Sequence, residues 1–266
     1  MEHRESKLPE GKKWKLVWAD EFDGDTLDMT KWSFRHHLFH KHFPSYTEEG
    51  VYVKDGCLHI GVVEKDGEYY SAQLQTGENF HDRPSGNPDW VIAPFSKPKF
   101  MHRYGYYECR CRLPMQKGWW AAFWLQSPII GCSPDPAIAG VEVDIMETFC
   151  DYGKISRETV SNNCHWSGYG ADYKTSRLVK VPLMPTDDDF HTFAVEWNRD
   201  GYIFYTDGVE TNRMNQAVSH TDQFILLTTE CEGYRTKERK PSEDLKKIVL
   251  PDEFIVDYVR VWDEVE

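Results

Sequence analysis

The chain has 266 residues, with 31 basic against 44 acidic side chains and a formal charge of −13. That balance weighs against nucleic acid and anionic membranes as partners, and no apolar run is long enough to span a bilayer. The length fits one all-β domain, and no low-complexity stretch, repeat or Pro/Ser-rich linker divides it.

In chain order, Met1–Lys13 reads as a polar tail, followed by a single domain over 14–266. The basic run Arg35–His42 has four histidines, but zinc needs a second, distant ligand pair, so a polar loop beside a groove is expected. Five Asp-Gly pairs, at 23–24, 55–56, 66–67, 200–201 and 207–208, punctuate aromatic and β-branched runs, and Asp-Gly is a favoured hairpin turn. Gly105–Leu113 alternates Tyr107, Cys109 and Cys111 against Tyr106, Glu108, Arg110 and Arg112, the pattern of a strand with one buried face. Phe193, Val195 and Trp197 repeat at the same period. Ser242–Ile248 is the one passable helix. Seven cysteines do not form a disulfide framework, and Cys109 and Cys111 read as small core residues.

The segment Glu142–Val143–Asp144–Ile145–Met146–Glu147 carries three carboxylates in six positions of an otherwise strand-like stretch. Like charges so close weaken pairing, so a chemical task competes with the plainer reading of a charged strand edge, and the surrounding residues favour the task. Alternation puts Glu142 and Asp144 on one face and Val141, Val143 and Ile145 on the other. Glu147 then has the wrong parity unless a β-bulge around Ile145–Met146 returns it to the acidic face. Paired carboxylates of this kind cleave glycosidic bonds, and a close pair suits the retaining mechanism. On the preceding strand, Trp124 shares a face with Ala122 and Gln126, opposite Phe123 and Leu125. Trp119, Trp120, His165 and Trp166 are further candidates to touch a sugar.

Trp119–Gln126 followed by Glu142–Glu147 resembles the active-site core of glycoside hydrolase family 16. The likeness extends to Trp18–Gly24, to His191–Trp197 with Phe204–Gly208, and to Val256–Trp262, which covers nearly the whole chain. The resemblance implies a concanavalin A-like β-jelly-roll of two antiparallel sheets and an endo-acting, retaining hydrolase needing no catalytic cofactor. Position by position it implies Glu142 as nucleophile, Glu147 as general acid/base, Asp144 as the assisting carboxylate and Trp124 as a stacking platform. It also implies a structural calcium ion at Glu21, the Gly56 carbonyl and Asp257. The expected substrate is β-1,3- or mixed-linkage glucan, with agarose, porphyran or carrageenan as the alternative. The negative charge favours a neutral glucan; Glu147–Thr148–Phe149, where an aromatic usually follows the acid/base directly in laminarinases, does not. A non-catalytic carbohydrate-binding jelly roll is the competing class, and a transglycosylase would use the same carboxylates. A monomer exported from the cell is expected, because polysaccharides are too large to enter it.

Overall fold

The structure is a computed structural model and describes residues 3–35, 46–77, 97–151, 154–155 and 158–266. Its early strands are β1 (Lys13–Asp20), β2 (Ser33–Phe34), β3 (Val51–Lys54), β4 (Cys57–Gly61), β5 (Val63–Lys65), β6 (Glu68–Tyr70) and β7 (Gln73–Gln75). Next come β8 (Gly105–Arg112), β9 (Trp119–Gln126), helix α1 (Pro136–Ala139), β10 (Val141–Glu147), β11 (Phe149–Asp151), β12 (Lys154–Ile155) and β13 (Thr159–Trp166). The chain finishes with β14 (Lys174–Thr175), β15 (Val179–Pro182), β16 (His191–Trp197), β17 (Tyr202–Thr206), β18 (Val209–Met214), β19 (Phe224–Cys231) and β20 (Glu253–Val265).

Two eight-stranded antiparallel sheets form the sandwich. One runs β18-β17-β16-β8-β20-β4-β3, with β1 added on β20; the other runs β14-β13-β10-β9-β19-β7-β2, with β15 added on β13. The alternation read from the sequence sets what lies between them. Tyr107, Cys109 and Cys111 of β8 and Phe193, Val195 and Trp197 of β16 share one core with Phe123 and Leu125 of β9 and Val141 and Val143 of β10. Three of the Asp-Gly pairs close hairpins with both residues at positive φ: Asp55–Gly56 (52°, 70°), Asp66–Gly67 (54°, 80°) and Asp207–Gly208 (52°, 81°). Asp200–Gly201 instead belongs to a loop braced by the Asn198 side chain, whose Oδ1 accepts from Asp200 N and Gly201 N at 2.8 and 3.2 Å.

Two expectations change. Over Ser242–Ile248 only Leu245–Lys247 forms a single 3₁₀ turn, too short to be a helix of consequence. The α-helical turn is α1, capped by Asp135, whose Oδ1 accepts from Ala137 N at 2.9 Å, with Pro136 pre-set at its start. The second change concerns the first sheet's outer face, which is not solvated: Tyr106, Glu108, Thr192, Ala194 and Glu196 are all buried.

Residues 3–12, expected as part of a polar tail, lie across that face as a strap. Lys7 N donates to Glu108 Oε2 at 2.9 Å, and Tyr106 OH donates to Lys7 O at 2.9 Å. Arg260 Nη1 donates to Arg4 O at 2.9 Å and Ser6 Oγ at 3.0 Å. Lys12 Nζ donates to Glu196 Oε1 and Glu264 Oε2, each at 2.8 Å. A buried carboxylate is costly unless hydrogen-bonded, and the strap backbone supplies one of the donors Glu108 needs, beside Tyr258 OH at 2.7 Å.

Candidate active site

The register of β10 slips against both neighbours. Against β13 the slip falls between Asp144 and Glu147, and against β9 between Asp144 and Met146. The extra residue lets Ile145 and Met146 both enter the core, at 3% and 0% exposure, and returns Glu147 to the face carrying Glu142 and Asp144. The bulge expected from parity is therefore present where it was placed. Two adjacent apolar residues drive it, because the sandwich interior accepts both.

The three acids sit in unlike surroundings. Glu142 Oε2 accepts from Gln126 Nε2 at 3.0 Å and from the Tyr169 hydroxyl. Asp144 Oδ2 lies 3.1 Å from His165 Nε2, which is 4.0 Å from Glu142 Oε1. The His165 Nδ1 faces Tyr173 OH at 2.5 Å. Burial alone would lower the His165 pKa, but the bond to Asp144 and the charge of all three acids raise it to about 9. At that value His165 is protonated at neutral pH, and the Asn163 side-chain amide lies 2.7 Å from its Nε2. Donor atoms of Glu142, Asp144 and His165 all lie within 4.8 Å of one another, so this imidazolium already supplies the positive charge a cation would bring.

Burial and then Asp144 push the Glu142 carboxyl up to about 7, opposed by His165, the Tyr169 hydrogen bond and Arg35. Burial, Asp144 and Glu142 push Glu147 well above the usual carboxylate range. Among the described residues no hydrogen-bond donor reaches Glu147. The electrostatic influence of His165 and Arg235 works against that rise. Both carboxyls are raised, and of the two it is Glu142 that has hydrogen-bond donors favouring its ionised form.

Arg35 was placed in a His-rich loop, whose residues 36–42 lie outside the described residues. It is itself 5% exposed and structural to the site. Its Nη1 donates to Gln73 Oε1 at 3.0 Å and its Nη2 to Gln126 Oε1 at 3.2 Å, which turns the Gln126 amide nitrogen toward Glu142. The same guanidinium lies over the Trp124 ring, 5.0 Å from its centroid. Trp124 is on the acidic face as expected, half-buried, with Nε1 donating to Thr228 Oγ1 at 2.8 Å. Trp120 shares that face and carries the Arg235 guanidinium 5.4 Å above its ring; Arg235 is clamped by the buried Glu230.

Trp119 and Trp166 are corrections. Trp119 is fully buried in the core, and its Nε1 donates to Asp252 Oδ2 at 2.8 Å, a carboxylate that also accepts from Met115 N and Gln116 N. Trp166 alternates with His165 along β13, so the parity that brings His165 to the acids packs Trp166 against the core. Tyr169 and Tyr173 are partners the sequence did not mark. Gln126 left a trace through its shared parity with Trp124, and Arg35 through the basic run expected beside a groove.

The expected calcium set does not fit. Glu21 forms a two-pronged ion pair with Arg260, both contacts 2.7 Å. Asp257 is held by Arg110 Nη1 and by His3 Nδ1, each at 2.6 Å, and His3 Nε2 reaches Asp23 at 3.0 Å. Gly56 sits in the β3–β4 turn. Calcium needs free oxygen ligands, and both carboxylates are already neutralised by the protein's own cations.

A jelly-roll sandwich with two glutamates brought onto one face by a bulge, one held by donors and the other kept acidic, defines the glycoside hydrolase class. The chain belongs to glycoside hydrolase family 16: the family model described as the GH16 domain of β-porphyranases A–D matches residues 14–264. It is 25% identical to glucan endo-1,3-β-glucosidase A1 of Niallia circulans, over 94% of this chain and 38% of that protein. It is 29% identical to a β-glucanase of Rhodothermus marinus, over 77% of this chain and 65% of that one. The chain thus spans 38% and 65% of these two relatives. The catalytic domain of an endo-1,3-β-glucanase (laminarinase) from Thermotoga petrophila superposes with a TM-score of 0.69 at 26% identity, over 96% of this chain and 100% of that one.

Proposed function

We propose that the protein is a retaining endo-hydrolase of a β-linked polysaccharide, with β-1,3- or mixed-linkage glucan as first substrate. The observation that carries this is the contrast between the two glutamates: donors stabilise the Glu142 carboxylate, while Glu147 sits without them in the field of two acids. In the first step Glu142 attacks the anomeric carbon as the carbon–oxygen bond to the leaving sugar breaks, and the proton of Glu147 passes to that oxygen. In the second, Glu147 takes a proton from water, the water oxygen bonds to the same carbon, and the ester to Glu142 is released. Asp144 and the His165 imidazolium keep the cluster's charge in balance. The size of a polymer substrate supports work outside the cytoplasm, and the site described is built from the residues of one chain.

Galactan is the second reading, and two observations favour it. The matching family model is that of β-porphyranases, and two guanidiniums, Arg35 and Arg235, lie over the tryptophans of the acidic face. Incubation with laminarin, lichenan, agarose, porphyran and κ-carrageenan, followed by sizing of products, decides between them. Early release of long oligosaccharides from a glucan is expected; cutting of one galactan alone would overturn the glucan choice. Glu142→Gln is expected to lower turnover at least about 10³-fold while substrate binding persists. Unchanged behaviour of that variant would make the protein a binding module.

A further inference from the structure

The loop 167–173 between β13 and β14 reaches into the site, and nothing in the paired-carboxylate chemistry requires it to. It is built to stay in place. Ser167 and Gly168 adopt φ of 62° and 74°, Ser167 Oγ donates to Pro134 O at 3.0 Å, and a Cβ on Gly168 would stand 2.9 Å from Gly131 Cα. The Tyr169 ring then packs on a small apolar cluster of Ile130, Phe224 and Leu226 beside Trp124, on the site side of β19. Its hydroxyl donates to Glu142 Oε2 and accepts from Gln126 Nε2. Gln126 donates to the same Oε2, in the orientation that Arg35 imposes.

Both donors therefore converge on one oxygen of Glu142. Among the described residues the other, Oε1, is approached by His165 Nε2 at 4.0 Å, beyond hydrogen-bond reach. We propose that Tyr169 is the positioning residue of the nucleophile: with Gln126 it anchors Oε2 and fixes the carboxylate rotamer, so that Oε1 is the atom presented to the anomeric carbon. This rests on the hydrolase reading above and adds to it which oxygen attacks and what holds it. Burial and the Glu142 charge raise the tyrosine's own pKa, so its hydroxyl remains a donor throughout the working range. A donor bonded to a carboxylate stabilises the ionised form, so the same contact holds the Glu142 titration down.

Tyr169→Phe keeps the ring and removes only the hydroxyl. The acid limb of kcat/KM against pH is expected to move up by about one unit, with a roughly tenfold loss on the acidic side and KM changed by less than about twofold. A loss that is uniform with pH, or a profile that overlays the wild type, would overturn the proposal. Gln126→Leu, on a rigid strand rather than the loop, removes the other donor from Oε2 and should shift the same limb the same way. Its failure to do so would count equally against it should the loop variant not fold. Glu142→Ala separates this from the parent reading: inactivity, with azide restoring turnover and giving product of the opposite anomeric configuration, supports Glu142 as nucleophile. An active Glu142→Ala would sink the site assignment itself, whereas an inactive one beside an unshifted Tyr169→Phe profile would sink only the role of Tyr169.

Discussion

At the residue scale, the division of labour between Glu142 and Glu147 comes from neighbours rather than from the glutamates. Glu142 is buried beside Asp144 and so titrates at about 7, well above a free carboxyl, even with His165, Tyr169 and Arg35 working the other way. The acid limb of kcat/KM should accordingly lie about 2.5 pH units above an ordinary glutamate's, and a limb near pH 4.5 would contradict this account. Arg35 is the residue whose loss should spread furthest. It orients Gln126, covers Trp124 and is itself buried. Arg35→Met leaves the Gln73 and Gln126 oxygens without their charged donor, which should cost about 1.5–3 kcal/mol of stability. Activity should fall at least tenfold with a matching drop in melting temperature, measured by calorimetry beside kinetics. Fully active Arg35→Met would show that Gln126 does not need it.

At the scale of elements, two pieces of irregular structure decide what the regular strands can do. The bulge in β10 is the first, and it was legible because Ile145 and Met146 are consecutive apolar residues between acids that must share a face. The strap of residues 3–12 is the second, and it was not legible. Its composition is polar, and alternation along β8 says only that Tyr106, Glu108 and Arg110 point away from the main core. What covers them depends on hydrogen bonds between residues about a hundred or more positions apart, such as Lys7 with Glu108 and Arg4 with Arg260. Removing residues 1–12 should leave Glu108 short of a donor and lower stability by about 3 kcal/mol. For a domain of this size that is roughly 6–12 °C in melting temperature. The strap lies on the sheet opposite the acids, so kcat per folded molecule should not change. An unchanged melting temperature would mean the strap adds nothing to the fold.

Across the whole molecule, cations of the chain do the work that a bound calcium ion was expected to do. The His3 imidazole lies between Asp23 and Asp257, Arg110 shares Asp257, and Arg260 occupies Glu21. Burial opposes protonation of His3, but its two carboxylate partners outweigh it and raise the pKa. A raised histidine contributes stability that is fully present below the unfolded value of about 6.5 and is lost as pH rises through the folded value. The difference in melting temperature between wild type and His3→Ala should therefore be larger at pH 6 than at pH 9. A chelator should leave the wild-type melting temperature where it is, and a clear drop on chelation would restore the calcium site.

What the sequence determined by itself was the part governed by local periodicity. Alternation of side chains, Asp-Gly turns and one break in parity among three acids were enough to place an all-β chain, the bulge and the face bearing Glu142, Asp144 and Glu147, while the two-sheet sandwich followed from the family resemblance. Parity within a strand is a property of neighbouring residues, so it survives without coordinates. Which tryptophans meet solvent, which hydroxyl grips the nucleophile, what covers the outer sheet and what neutralises Asp257 were decided only by tertiary structure. Each depends on contacts between segments far apart in the chain, where pairing follows from how the two layers and their loops close on one another.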